Sequence, residues 1–391
     1  MLINLKLILW RYHMHSINCK RIMIFLPNLC GGGAEKLHVT LANDWVAKGF
    51  EVEFILLRKH GELMNLLTPK VVVTDLNVSR IRNAILPLAE RLRNNSPHIL
   101  LAAMWPLTFS AALAWVISGC KSKLFLSEHS NLGLALIEKS IINRFILKGL
   151  MSVIYRLASG VIAVSHGVKD DLCRIGSMPD RYIRVIYNPA AIGVSSIREN
   201  PAVKAKLWGT GFDFHILTVG RLAPEKDHET LIKAFSLLPK YLNAKLVILG
   251  EGPLRNSLES LITKHKLNNS IFLPGFMINP YPWFRSADLF VLSSRFEGFG
   301  NVLVEALECG IPVVSTDCLS GPSEILANGL YGKLVSIQNP IELAEAMLES
   351  LTSSHDHKAL IIRANDFSVR KSSDAYLDYF YNTKAKKTEK V

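Results

Sequence analysis

Short runs of β-branched and other apolar residues alternate with helix-length amphipathic segments along nearly the whole chain, in two series separated by a polar stretch. Such alternation admits little besides parallel sheets covered by helices on both faces, because every parallel crossover needs a connecting helix. In the first series residues 21–27 read as a strand, Gly31-Gly32-Gly33 as a turn, 34–48 as an amphipathic helix stopped by Gly49, and 50–57 as a second strand. Apolar runs at 71–76, 99–104, 123–127 and 160–164 extend the same sheet. After an irregular stretch at 190–211 the pattern restarts, with strands expected at 215–219, 245–249, 271–273, 289–292 and 312–315 and helices at 229–238, 253–265 and 300–309.

The predicted fold class is α/β, with two doubly wound, Rossmann-like parallel-sheet domains at 21–195 and 196–370. Residues 371–391 read as a C-terminal helix and Lys-rich tail, with a crossing back to the N-terminal domain as one option. Residues 1–20 match neither series and read as a leader or a peripheral anchor. Sheets of this kind bind ligands at the carboxyl ends of their strands, so a site is expected in a cleft between the two domains.

A chain of 391 residues, 49% apolar, is long enough for two full cores. Its six cysteines, at 19, 30, 120, 173, 309 and 318, show neither C-x-x-C nor metal-ligand spacing, so a reducing, cytoplasmic setting is expected. The charge of +12 sits in the first half: residues 1–200 hold 24 Lys and Arg against 13 Asp and Glu, the remainder 21 against 20. No recognition helix and few interleaved aromatics accompany that basic half, which disfavours nucleic acid and favours an anionic membrane surface or a phosphate substrate.

Residues 99–118 carry no charge over about 20 positions, the length of a bilayer span. Pro106 and the flanking Arg91, Arg93, Lys121 and Lys123 favour a buried strand running into a helix, since cations at both ends leave no orientation bias for a span.

Four places carry residues suited to chemistry. Gly32 and Gly33 open a helix after the first strand, where bare amides approach a phosphate or sugar closely; the spacing is not the dinucleotide fingerprint, which disfavours a NAD-dependent dehydrogenase. Arg221 and Lys226 lie five positions apart in the loop after the strand at 215–219, suited to a diphosphate unless they merely pair with Glu225, Asp227 or Glu229. Glu297 follows another strand, ahead of Gly298, Phe299 and the helix start at Gly300, Asn301 and Val302, with Glu305 eight positions on. Glu251 and Glu259 share that spacing, so context decides, and a helix N-terminus is a ready anion site. His129 ends a strand of the basic domain. No D-x-D occurs, so no metal site and no cofactor are expected.

Taken in order, Gly220-Arg221 through Lys226-Asp227, Gly250-Glu251-Gly252-Pro253, Pro274-Gly275-Phe276 and Glu297-Gly298-Phe299-Gly300 through Glu305-Ala306-Leu307 resemble the retaining GT-B-fold glycosyltransferases of glycosyltransferase family four. The resemblance implies a GT-B architecture, its two domains facing across a cleft, and transfer of a sugar from a nucleotide diphosphate with retained configuration. It implies that Arg221 and Lys226 hold the diphosphate, that Glu297 contacts the donor sugar and Glu305 the ribose, and that Gly275-Phe276 meets the base. Gly32 or Gly33 would approach the donor phosphate or acceptor, and His129 looks like a sugar-contacting histidine. Asn188-Pro189-Ala190 stands where many members carry Asn-Gly. The glycine-rich turn and the aliphatic-basic stretch at 137–156, with Lys139, Arg144, Lys148 and Arg156, are similar to bacterial members that extend polyprenyl-diphosphate-linked sugars. The expected donor is a UDP-activated hexose or N-acetylhexosamine, the acceptor a lipid-linked glycan or polysaccharide, and the location the cytoplasmic face of the membrane. The alternatives weighed are a nucleotide-sugar epimerase of the same fold and a non-enzymatic membrane protein built on 99–118.

Overall fold

The computed structural model describes residues 21–119, 121–133, 141–176, 178–194 and 201–383. The readings on residues 1–20, Lys139, the side chain of Arg144 and the end of the tail at 384–391 fall outside them.

Two wholly parallel sheets organise the chain. The first has seven strands, β1 (Arg21–Leu26), β2 (Glu51–Leu56), β3 (Val72–Asp75), β4 (Ile99–Ala103), β5 (Lys123–Glu128), β6 (Gly160–Ala163) and β7 (Ile183–Val185), in the order β3-β2-β1-β4-β5-β6-β7. The second has six, β8 (Phe214–Val219), β9 (Ala244–Leu249), β10 (Ile271–Gly275), β11 (Leu289–Leu292), β12 (Val313–Thr316) and β13 (Lys333–Val335), in the order β10-β9-β8-β11-β12-β13. Both are doubly wound, as predicted. The sequence reading omitted β7 and β13 as strands, because three residues are too few to display an apolar run.

In each sheet the strand order reverses beside the first strand. β1 pairs with β2 from Arg21↔Glu51 and with β4 from Ile22↔Ile99; β8 pairs with β9 from Phe214↔Ala244 and with β11 from Leu289↔Ile216. Loops leaving the carboxyl ends of strands at such a reversal diverge and open a crevice, the usual place for a ligand in an open α/β sheet. Gly31 to Gly33 lie after β1, and the loops bearing Arg221 with Lys226 and Glu297 lie after β8 and β11.

The uncharged stretch 99–118 is β4 followed by the helix Leu107–Ile117, with Ile99 to Ala103 buried between strand neighbours β1 and β5. No helix among the described residues is long and apolar enough to cross a membrane. This corrects the alternative in which 99–118 is a span: strand pairing consumes its first five residues, leaving an 11-residue helix.

By contact density the chain divides into two compact units, Met1–Ser127 with Ile154–Gly160 and Tyr379–Val391, and Glu128–Val153 with Val161–Asp378. In the first, the helix Gly33–Ala47 buries Leu37, His38, Leu41 and Trp45, a helical period that presses one face on the sheet. The end of the helix Val369–Asn382 belongs to this core. Phe380 is fully buried, its ring 4.7 Å from Phe125 and 5.7 Å from Trp45. Lys123 Nζ donates to the carbonyls of Phe380 (3.0 Å) and Thr383 (2.7 Å), satisfying acceptors that a helix end leaves open. In the second unit Ile216, Leu231, Ile248, Val291, Leu343 and Met347 are core residues on strands and covering helices. Those helices start on side-chain caps: Asp227 accepts from Thr230 and Asn339 from Glu342.

Candidate functional site

The loop after β8 is built on close backbone approach. Gly250, at φ +145°, lies so near the Gly220 carbonyl that a Cβ there would sit 1.9 Å from its oxygen. Gly220 N donates to Leu249 O and Leu222 N to Glu251 O, so the loop is fastened to the end of β9. Arg221 projects as an exposed side chain.

Lys226 turns the other way. Its ammonium lies 2.5 Å from Glu297 Oε1, and neither Glu225, Asp227 nor Glu229 takes it. Asp227 is occupied as the cap of the helix His228–Leu237 and Glu229 pairs with Lys233. Glu297 Oε1 also accepts from Ser294 Oγ at 2.7 Å, while Ser293 Oγ donates to the Lys226 carbonyl at 2.9 Å. The Lys226 and Glu297 side chains are only 20% and 10% exposed, so the pair is held in low dielectric where removing one charge leaves the other costly. A cation and a carboxylate, 71 positions apart in sequence, thus meet where the loops after β8 and β11 diverge.

Beyond Glu297 the backbone turns through Gly298, Phe299 and Gly300 into the helix Asn301–Glu308. A Cβ at Gly298 would meet the His129 carbonyl oxygen at 1.9 Å, which sets the backbone of His129, just past β5, directly against the Glu297 loop. The Phe299 ring is buried, stacked on Tyr187 at 5.5 Å and against Phe367 at 5.5 Å, which commits the ring to packing. Asn301 Oδ1 accepts from Asn188 Nδ2 at 2.8 Å, which turns that side chain to the connector and leaves the Asn301 and Val302 amides at the helix start. Glu305 is buried within the same helix, and burial together with the charges of Glu305 and Glu308 pushes the Tyr281 phenol far above its ordinary value. Gly275 ends β10, and Phe276 beyond it is half exposed, an apolar surface at a strand's carboxyl end.

Gly32 and Gly33 head the helix Gly33–Ala47 in the first unit, Gly32 being its N-terminal flank. A Cβ on Gly32 would overlap the Glu35 carboxylate at 2.1 Å, and burial raises that carboxyl above the usual range. The first helical turn therefore already carries an acidic group beside its amides.

Several supporting residues were not read from the sequence. Ser293 and Ser294 hold the Lys226–Glu297 pair, and Thr316 Oγ1 donates to Ser294 O at 2.6 Å. Glu308 accepts from the amides of Ile192, Gly193 and Val194 at 3.1, 2.6 and 3.2 Å, fastening the connector to the end of the helix that starts at Asn301. Ser-Ser three residues before Glu297 was the only local signal; Glu308 looked like any helical glutamate.

His228, buried beneath the Lys226 loop, is held near pKa 4 by burial and then by the Lys226 charge, against the carbonyls of Arg221 and Gly220. His38 is lowered to about 4 by burial, against the Ala34 carbonyl. Both folded values lie below the unfolded 6.5, so the stabilisation is complete above pH 6.5 and is lost as pH falls through about 4. Stability is expected to drop between pH 6.5 and 5, by up to about 1.4 kcal/mol per pH unit for each ring, with the melting temperature falling in step, and His228→Asn should flatten that slope. Thermal melts across that range check it; an unchanged slope in the variant would show that His228 does not resist protonation.

The family model described as Glycosyltransferase Family 4 matches residues 31–192, and that described as Glycosyl transferases group 1 matches 210–367. The chain belongs to the family-four glycosyltransferases. Its fold is GT-B: a glycosyltransferase structure from Rickettsia africae superposes with a TM-score of 0.77 at 20% identity, covering 93% of this chain and 98% of that one. HepE from Anabaena, solved with UDP-glucose, gives 0.76 at 22% identity over 91% and 98%. Among curated relatives, the Campylobacter jejuni N-acetylgalactosamine-N,N'-diacetylbacillosaminyl-diphospho-undecaprenol 4-alpha-N-acetylgalactosaminyltransferase is 29% identical over 87% of this chain and 92% of its own length. The enzyme is a glycosyltransferase, and no observation favours the epimerase alternative.

Proposed function

We propose that this glycosyltransferase moves a hexose or N-acetylhexosamine, with retained anomeric configuration and without a metal ion, from a UDP-sugar to a sugar hydroxyl of a lipid-linked glycan or polysaccharide. The observation that carries the reading is the Lys226–Glu297 pair at 2.5 Å, fixed by Ser294 at the strand reversal of the second sheet. The UDP-glucose complex of the similar Anabaena structure supports UDP, and the name of the Campylobacter jejuni relative supports both an N-acetylhexosamine and a diphospho-polyprenyl acceptor.

In this reading Arg221 and Lys226 take the diphosphate, Glu297 and His129 the donor sugar, Glu305 the ribose and the Gly275-Phe276 backbone the base. Gly298, Gly300, Asn301 and Val302 present backbone near the phosphates, and Gly32 or Gly33 approaches the donor phosphate or the acceptor. The bond from the anomeric carbon to the diphosphate oxygen breaks while the acceptor hydroxyl bonds to that carbon from the same face. Its proton passes to the departing phosphate oxygen. Charge accumulates on that oxygen, and Arg221 and Lys226 supply the cations that stabilise it and lower the barrier.

For the membrane, the helix Ile141–Leu157 exposes Lys148, Leu150, Val153 and Arg156, an aliphatic and basic face suited to the anionic inner leaflet. Release of nucleoside diphosphate from UDP-, GDP- and ADP-sugars, with EDTA and a lipid extract containing polyprenyl-diphosphate sugars, tests the whole reading. Lipid-dependent release from a UDP-sugar, lost in Glu297→Ala, is expected. Release only from GDP- or ADP-sugars, or none without a divalent ion, would overturn the donor or the metal-free reading respectively.

A further inference from the structure

We propose that Ser165 is a positioning residue that sets the Glu297 loop against His129. The inference rests on the assignment of Glu297 and His129 to the donor sugar.

Ser165 is fully buried between β6 and the helix His166–Gly176. A hydroxyl has one proton to give and two lone pairs to accept with. Here Ser165 Oγ accepts from Val168 N at 3.2 Å, as a helix-capping serine does, and donates its proton to the Gly298 carbonyl at 2.7 Å. The two preceding amides are taken by another residue, His166 N and Gly167 N donating to Glu324 at 2.8 and 3.0 Å. The start of this helix is thus filled by protein groups, and its serine has a free hand for the neighbouring loop.

That loop is gripped from two directions. Ser165 holds the Gly298 carbonyl, while the His129 carbonyl presses on the Gly298 Cα so closely that no Cβ fits. Gly298 follows Glu297 directly, and the Glu297 carboxylate is fixed separately by Lys226 and Ser294. Backbone and carboxylate are therefore anchored independently. The carboxylate anchor serves the diphosphate side, through Lys226; the backbone anchor sets the spacing to His129. Losing the Ser165 hydroxyl strips a donor from a partly buried carbonyl and lets the peptide turn toward another partner. A shift on the order of 1 Å at a group orienting the reacting sugar is enough to cost about 100-fold in rate.

Amide hydrogen exchange and kinetics on Ser165→Ala, Ser165→Thr and Glu297→Ala test this. Exchange over residues 294–300, in the absence of any ligand, should quicken about ten-fold in Ser165→Ala and stay near wild type in Ser165→Thr, which keeps the hydroxyl. With UDP as probe, affinity should change less than about two-fold in Ser165→Ala, while turnover of the UDP-sugar used falls at least about ten-fold and Ser165→Thr recovers most of it. Unchanged exchange in Ser165→Ala would overturn the proposal, and so would parallel loss of UDP affinity and turnover, the mark of a loosened fold. If Glu297→Ala retains turnover, the sugar assignment fails, and with it the consequence for rate; the exchange measurement still reports on the anchor itself.

Discussion

Lys226→Ala is expected to lower nucleoside diphosphate release at least about 100-fold, the scale on which an oriented donor to a developing oxyanion acts. Lys226 is held by two independent contacts: its carbonyl accepts from Ser293, and its Nζ rests 2.5 Å from Glu297. The fold should survive the change. Glu297 loses a cation but keeps the Ser294 hydroxyl, and the helix after Lys226 keeps its Asp227 cap. A modest fall in melting temperature is expected all the same, because a carboxylate only 10% exposed is left without its counter-charge. Steady-state turnover and a thermal melt on the same preparation check both halves. Near-normal turnover would remove Lys226 from the site; an unfolded protein would make the pair structural rather than catalytic.

Phe380→Ala should cost about 3–5 kcal/mol, the range for truncating a fully buried aromatic ring. The ring closes the core of the first unit against Phe125 and Trp45, and its carbonyl takes the Lys123 ammonium. Truncation leaves a void between rigid rings, which cannot collapse to refill it. Scanning calorimetry should show the first unit's transition lowered by roughly 10 °C, with UDP affinity unchanged below it. A shift under about 2 °C would mean that the end of the helix Val369–Asn382 is held by its hydrogen bonds and not by this ring.

Much of this protein is legible in its sequence because doubly wound sheets obey local rules. A buried parallel strand reads as an unbroken apolar run, a crossover helix as a 3.6-residue period, and the loop after each strand as the place for chemistry. On those grounds Arg221, Lys226 and Glu297 were candidates from their place in loops after strands, and the resemblance to family four implied roles for them. Composition by itself left 99–118 open between a span and a strand with a helix. Pairing of β4 with β1 and β5 decided it, since a hydrogen-bonded neighbour on each side is a property of the sheet and not of the segment.

Other features carry no local mark. Nothing in the sequence pairs Lys226 with Glu297 across 71 positions in preference to the three carboxylates beside it, or brings Ser165 to Gly298 across 133. Serines that fix the Glu297 loop look like serines anywhere, and Glu308 holding the amides of Ile192, Gly193 and Val194 looks like an ordinary helical glutamate. The sequence by itself determined the class of fold, eleven of the thirteen strands and which of their ends carry charge. Tertiary structure alone decided which charges meet, which amides the buried carboxylates hold and how close His129 comes to Gly298. The physical reason is range: hydrophobic periodicity and turn chemistry act over a few residues, whereas these contacts exist only once two sheets have brought distant loops within hydrogen-bonding distance.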